Sequence, residues 1–356
     1  MKKTVIFLSI AILFSIKGFA QTKSIDIDNL WFTYSYRHLP EMPLNPLYFN
    51  YAVKVTTNGA QRGGISKEEL IDLVHIAGQV RVEDPSVADV VMELTTGNIM
   101  VSSRDVRERK VENKDRDGKV TSVNHYFKVV VTYTFEASYL VRKGDEILLK
   151  GEMYNKMNYM SYESQEYTTH QAAAAFWNDN KDALVAQFYR DLSIKSATSL
   201  SNIVSSRYGF IPLTQQRDIL KTTDEKKHNE NEAFKTHTAT LKDALMAMTP
   251  DAPLDRDAIK GVINYYESIP ERYADPKHKA DVRIRYAAFF NLCKIYYYLD
   301  EPEKVAEYAN LITSNGYDAK DGAKLIKEAE ELKAAFNKTG IPTRHFIPEE
   351  YFSSKE

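Results

Sequence analysis

A single cysteine, Cys293, stands in a chain of 356 residues. One thiol excludes an intramolecular disulfide, so a packed core must hold the fold together. A lipid-anchored export signal would need a cysteine at its cleavage point, so direct lipid anchoring is not expected. Beyond the first twenty residues no run is apolar enough to cross a bilayer, and no transmembrane segment is expected once a signal is removed. Charge of one sign is also missing: 47 Lys and Arg face 49 Asp and Glu, for a formal charge of −2. A nucleic-acid partner would require a concentrated basic surface, and this balance argues against one. There is no Gly-x-Ser-x-Gly elbow, no phosphate-cradling loop and no Gly-x-Gly-x-x-Gly. The 8 histidines show neither i, i+4 pairing nor Cys/His clustering. No catalytic residue, metal ligand or cofactor is assigned, and the chain is expected not to be an enzyme, with a hydrolase of unrecognised site as the third reading.

The start of the chain is informative. Met1-Lys2-Lys3 precedes an uncharged stretch from Thr4 to Ile16, which is the pattern of a secretory signal. As a helix that stretch would span only about 20 Å, short of the roughly 30 Å hydrocarbon core. Gly18 and Ala20 place small side chains at the −3 and −1 positions, so cleavage is expected between Ala20 and Gln21. Loss of Lys2, Lys3 and Lys17 with no acid would take the formal charge from −2 to about −5. A periplasmic or outer-membrane-associated location follows from this reading.

Residues 21–210 read as one α+β domain, a mostly antiparallel sheet with helices on one face. Phe127, Val129, Val131, Tyr133, Phe135, Ala137, Tyr139 and Val141 alternate with Lys128, Thr132, Thr134, Glu136 and Ser138, the mark of a half-buried strand. Lys143-Gly144-Asp145 is a turn, and Ile147, Leu149, Gly151 and Met153 continue the alternation in an antiparallel partner. Val90, Met92 and Leu94 change parity to Ile99 and Val101 after Gly97, where a bulge is expected. The polar segment 112–119 reads as the tip of a long hairpin, giving a three-stranded meander. Its Asn113-Lys114-Asp115-Arg116-Asp117-Gly118 copies part of a calcium loop, but Asn124 occupies the position of the bidentate glutamate, so a hydrophilic turn is the preferred reading. Ser66-Lys67-Glu68-Glu69 is a capping-box helix start, and a helical region over about 168–207 ends at Gly209. In element order, with its Ala88-Asp89-Val90-Val91 strand start and long closing helix, the layout resembles small α/β modules of bacterial envelope assembly lipoproteins.

From residue 211 the chain reads as helical: a linker region over 211–254, an all-α domain over 255–340 and a tail over 341–356. Tyr286, Phe289, Phe290, Cys293 and Tyr297 recur at helical spacing, and Asp300-Glu301-Pro302 turns into a second helix with Val305, Ala309 and Ile312. Leu292, Cys293 and Tyr296, with Glu303-Lys304-Val305, resemble a degenerate tetratricopeptide repeat, which implies a helical hairpin used for protein interaction. The segment 306–317 also resembles the helical part of outer-membrane glycan-binding proteins of the starch-utilisation type. Together these features resemble an exported bacterial, Bacteroidetes-like protein.

The 23 tyrosines offer ring area and a polar tip together. Tyr34, Tyr36, Tyr48, Tyr159, Tyr296 and Tyr298 are the candidate binding residues, with strand propensity and helix packing as the alternative explanation. Pro40, Pro43 and Pro46 stiffen the connection over 39–49 as a crossover. The leading functional expectation is a non-enzymatic envelope protein that binds another envelope protein; the second is a glycan-binding protein using exposed tyrosines.

Overall fold

The computed structural model describes residues 25–44, 50–57, 64–224 and 228–353, so the expected cleavage site at Ala20 and Gln21 lies outside the described residues. The chain divides into two units, each discontinuous in sequence. The sheet-bearing unit takes Ser35–Thr214, Thr249–Pro253 and Lys333–Glu356; the helical unit takes Met1–Tyr34, Gln215–Met248 and Leu254–Leu332. The α+β class is as expected, with mostly antiparallel sheets followed by a mainly helical C-terminal region.

β1 (Ile27–His38) begins in the helical unit and ends in the sheet-bearing one, where β2 (Asn50–Thr57) and α1 (Lys67–Leu73) follow. The capping box starts α1 as expected: Ser66 Oγ accepts from the Glu69 amide at 3.0 Å, and Glu69 Oε2 accepts from the Ser66 amide at 2.8 Å. This helix lets the chain return in the same direction, so that β3 (Val80–Arg81) and β4 (Val90–Thr96) both pair parallel to β2. Then come β5 (Met100–Lys114), β6 (Val120–Thr134), β7 (Ala137–Lys143), β8 (Glu146–Tyr154) and β9 (Met160–Glu163).

The expected meander is replaced by two sheets. One has the order β3-β2-β4-β7-β8 and the other β5-β6-β9. The alternating run 127–141 is broken at Phe135-Glu136, so its first part lies in one sheet and its second in the other. The parity change at Gly97 has the same cause. Instead of a bulge, Gly97 marks the point where β4 leaves its sheet, its amide donating to the Glu136 carbonyl at 2.8 Å. A register irregularity does occur, but later, between Val101 and Ser103. At the tip of the β5–β6 hairpin, Asp115 Oδ1 accepts from the amides of Asp117 at 3.0 Å and Lys119 at 2.9 Å, and Gly118 adopts φ +81°. These bonds are those of a polar turn, in which the small glycine permits the left-handed backbone.

α2 (His170–Tyr208) is 39 residues long, about 58 Å of helix, and serves both sheets. Its first half buries Ala173, Trp177, Leu184, Phe188 and Tyr189 with Val129, Val131, Tyr133 and Phe135. Its second half buries Ala197, Leu200, Val204 and Tyr208 with Tyr51, Val53, Val90, Met92 and Val141. Ser201 and Ser205 clamp the loop after α1, their hydroxyls accepting from the His75 and Ala77 amides at 3.2 and 3.0 Å. The residues expected to form a C-terminal tail complete this unit: Ile341, Phe346 and Phe352 are buried with Leu39 and Phe210. Buried Arg37 donates from Nε to the Phe346 carbonyl at 2.8 Å and from Nη1 to the Phe210 carbonyl at 3.2 Å, and it pairs with Asp251.

The expectation of helix from residue 211 fails first at β10 (Ile211–Thr223), a 13-residue strand paired with β1. Its residues Ile211, Leu213, Ile219 and Leu220 do not alternate cleanly, so the strand is set by its pairing rather than by a period-2 pattern. Helices follow: α3 (Asn231–Met246), α4 (Lys260–Arg272), α5 (Lys279–Tyr298), α6 (Pro302–Ser314) and α7 (Ala319–Thr339), with α8 (Pro348–Ser353) in the other unit. α5 is central. From Ile284 to Tyr296 every residue is buried, because α4 and α6 flank it and the Phe32 and Leu220 side chains of the β1–β10 ribbon join the same core. Gly322 of α7 allows a close approach to α6; a Cβ there would lie 2.7 Å from the Ala309 carbonyl oxygen.

Candidate functional site

Where β4 passes to β5 and β6 to β7, the two sheets diverge and leave a groove of about 680 Å³. Its walls are Thr95, Gly97, Asn98 and Met100 on one chain path and Glu136 and Ser138 on the other, closed by Glu152, Tyr154 and Met157. The turn after β8 is rigidly built: Asn155 Oδ1 accepts from the Met157 amide at 2.9 Å, and Asn158 Oδ1 accepts from the Asn155 amide at 2.9 Å. That turn holds Met157 out at 86% exposure, with Tyr159 at 66% two residues on and Met100 at 58% across the groove. Three large apolar side chains standing in water on an ordered frame are unusual for a surface that does nothing.

The groove floor is polar and mildly acidic. Glu136 Oε1 is buried and accepts no hydrogen bond; its nearest cation is Lys156 Nζ at 3.4 Å, an exposed ammonium. Tyr154 forms part of the wall with its ring edge-on to Phe135 at 5.8 Å. Thr95 and Ser138 lie opposite one another across β4 and β7 and add hydroxyls. This set can accept hydrogen bonds and bury apolar side chains, and the β7–β8 register sets the Ser138 hydroxyl opposite Glu152.

Of the five candidate tyrosines among the described residues, Tyr34 and Tyr298 pack against each other, and the five do not form one exposed cluster. Tyr159 is exposed, two residues after Met157 of the groove wall. Tyr298 is fully buried, its hydroxyl donating to Asp218 at 2.6 Å, and burial followed by that carboxylate pushes its pKa well up. Tyr296 is buried and stacked on Tyr308 at 5.4 Å, both hydroxyls donating to Glu267. Tyr34 is half-buried with its ring 4.7 Å from that of Tyr298, and Tyr36 is half-buried beneath the Arg344 guanidinium at 5.2 Å. Tyr48 lies outside the described residues. Tyr296 and Tyr298 are therefore packing residues of the helical core, because helix α5 is covered on every side.

The sequence reading missed Met100, Met157 and Glu136. The available signal was an apolar Met157 inside the polar turn Asn155-Lys156-Met157-Asn158. It also missed a polar grip inside α5. Asn291 Nδ2 donates to the Lys221 carbonyl at 2.8 Å while its Oδ1 accepts from the Lys221 amide at 2.8 Å. Lys294 Nζ sits 2.9 Å from Asp218 and 3.7 Å from Glu328. Helix α5 thus holds β10 by its backbone and by its side-chain charge. Among the described residues no group of three His, Cys, Asp or Glu side chains is arranged to hold a metal, and no helix is long and apolar enough to cross a membrane.

No family model and no curated protein matches the chain. Among solved structures, a protein described as a neuraminyllactose-binding hemagglutinin homolog from Helicobacter pylori aligns with 46% of this chain and 95% of its own, at 12% identity and a TM-score of 0.17. A superposition that loose assigns neither fold nor function.

Proposed function

We propose that this chain is an exported envelope protein that works by binding another protein, and that the groove between the two sheets is where it binds. The carrying observation is the ordered rim of Met100 and Met157, exposed beside a floor of hydrogen-bonding groups, with exposed Tyr159 two residues beyond Met157. Methionine and tyrosine are enriched at protein interfaces because they offer adaptable or rigid apolar area at low desolvation cost. The occupant that fits is an extended segment of a partner protein, with an apolar side chain between the two methionines and its backbone or a polar side chain over Glu136, Asn98 and Ser138. The helical unit is read as scaffold. In it α5 and α6 form a degenerate tetratricopeptide-like hairpin whose Leu292, Cys293 and Val305 are all buried.

A photo-crosslinking residue in place of Met157 should capture one discrete envelope protein, and the same residue at Val87, exposed in the same unit, should not. The capture should be lost on Met100→Ser. Equal labelling at both positions would refute the reading. A glycan reading rests on exposed rings, and of the five candidate tyrosines among the described residues only Tyr159 is strongly exposed; sugar binding on an array that disappears with Tyr159→Ala would favour it instead. Export itself is checked by N-terminal sequencing of the mature protein, which should begin at Gln21.

A further inference from the structure

The β5–β6 hairpin carries a second interaction surface, independent of the groove. Its strands are 15 residues each, and β9 and the Phe127–Tyr167 bridge support only the end nearest the core. β5 is the edge of its sheet; among the described residues no strand other than β6 pairs with it. Apart from half-buried Val106 and Val111, every residue of β5 is exposed. A long free edge invites pairing with another chain, and proteins generally manage that hazard with charge. Here the charges follow an order that selects a particular partner.

Between Ser103 and Arg109 the strand reads Ser-Arg-Asp-Val-Arg-Glu-Arg, with Val106 at its centre. The register with β6 places Arg104, Val106 and Glu108 on the face shared with Val131, Val129 and Phe127, and Asp105 and Arg107 on the opposite face. Let a second copy of β5 lie antiparallel beside the first, related by a two-fold axis through Val106. Val106 then meets Val106, Arg104 meets Glu108 on one face, and Asp105 meets Arg107 on the other, each ion pair occurring twice. Sliding the copies by one or two residues in either direction sets like charges opposite: Arg104 against Arg107, Asp105 against Glu108, Arg107 against Arg107, or Asp105 against Asp105. Opposite charges directly across a strand pair stabilise it and like charges destabilise it, so the pattern specifies this register and rejects its neighbours. Asp105 and Arg107 are 70% and 61% exposed with only a loose 3.9 Å contact of their own, so both are available to a partner; on the other face Arg104 donates to Asn178 at 3.0 Å and Glu108 pairs with His125, so the Arg104–Glu108 pair forms by exchanging those contacts.

From this edge and its charge order we infer that the chain forms a symmetric dimer by antiparallel addition of one β5 to another, centred on Val106. The contact is isologous, the same patch on both copies, as closed two-fold assemblies require.

The test uses the full mature chain. Cys293 is buried, so a cysteine introduced on the arm is the only accessible thiol. Val106→Cys faces itself across the axis and should form a covalent dimer with a short bis-maleimide, each thiol adding to one maleimide, whereas Arg116→Cys at the hairpin tip should not. In sedimentation, the dimer should be lost on Asp105→Arg and regained in the double variant Asp105→Arg/Arg107→Asp, which restores opposite charges under the same symmetry. Three outcomes would overturn the inference: a monomer at about 100 µM, well above the affinities typical of specific association; crosslinking at 116 but not 106; or no recovery in the double variant.

Discussion

Replacing Lys294 with methionine tests the grip of α5 on β10. The ammonium is buried between Asp218 at 2.9 Å and Glu328 at 3.7 Å, and Asp218 also accepts from the Tyr298 hydroxyl. Methionine keeps the length of the side chain but leaves two carboxylates without their cation. Removing one partner of a buried ion pair costs about 3–5 kcal/mol. Because Asp218 and Glu328 keep 22% and 26% exposure, water recovers part of that, and the low end, about 3 kcal/mol, is expected. This corresponds to roughly 150-fold in the ratio of folded to open forms. The protein carries its own reporter: Cys293, the neighbouring residue, is fully buried, and burial pushes its thiol pKa up, so it reacts only on opening. Alkylation of Cys293 under native conditions should accelerate by about two orders of magnitude. The fluorescence transition of Trp177, buried in the sheet-bearing unit, should stay where it is. Asp218→Asn in the same chain should restore part of the loss. An acceleration below about fivefold, roughly 1 kcal/mol, would refute the reasoning, as would an equal shift in the Trp177 transition. The pH dependence has a definite sign. Burial lowers the Lys294 pKa, but Asp218 and Glu328 outweigh it and the net shift is upward. The stabilisation is therefore complete below the ordinary lysine range and is lost only as strongly alkaline pH passes the folded value.

Gly322→Ala should destabilise the helical unit by about 1–3 kcal/mol, because the new methyl meets the rigid Ala309 carbonyl and α7 must move away from α6; Cys293 alkylation would register it. Glu166 accepts from Arg109 Nε and Nη2 at 2.7 Å each and braces the hairpin where its support ends. Glu166→Ala should raise amide exchange in the outer part of β5 and β6 and leave α2 unchanged. The Glu69 pKa is lowered by the Ser66 amide and then by its hydroxyl. Since a depressed carboxylate stabilises above its unfolded pKa, exchange in α1 should rise as the pH falls through the folded value, and Glu69→Gln should flatten that profile.

Local signals in the sequence were readable where one residue pattern decides one element. Ser66 to Glu69, the turn at Asp115 to Gly118, the stop at Gly209 and the alternation from Phe127 to Val141 all behave as their chemistry dictates. What periodicity could not show is which sheet a strand joins: Phe135 and Ala137 keep the same inward parity while the chain changes sheets between them. β10 was missed because its partner, β1, lies almost two hundred residues earlier, and non-local pairing leaves no local trace. Tyr296 and Tyr298 looked like exposed rings because neither reveals that α5 is covered all round. The polar Asn291 and Lys294 within an otherwise apolar run were the clue, since polar groups in a buried helix must be answered by something nearby. The groove is harder still, for it exists only where two strand crossings coincide.

The interleaving of the two units has a consequence for the order in which the protein is made. Residues 25–34 emerge before the sheet-bearing unit's Ser35–Thr214 but belong with a helical unit whose last helix arrives some three hundred residues later, and the sheet-bearing unit waits for Lys333–Glu356. Neither unit can close while the chain is still being delivered from its N-terminus, and the first strand must stay unpaired until residues 215–223 appear. Loss of residues 337–356 would then injure the unit built mainly from residues 35–214, removing Phe346 and Phe352 from beside Leu39 and Phe210.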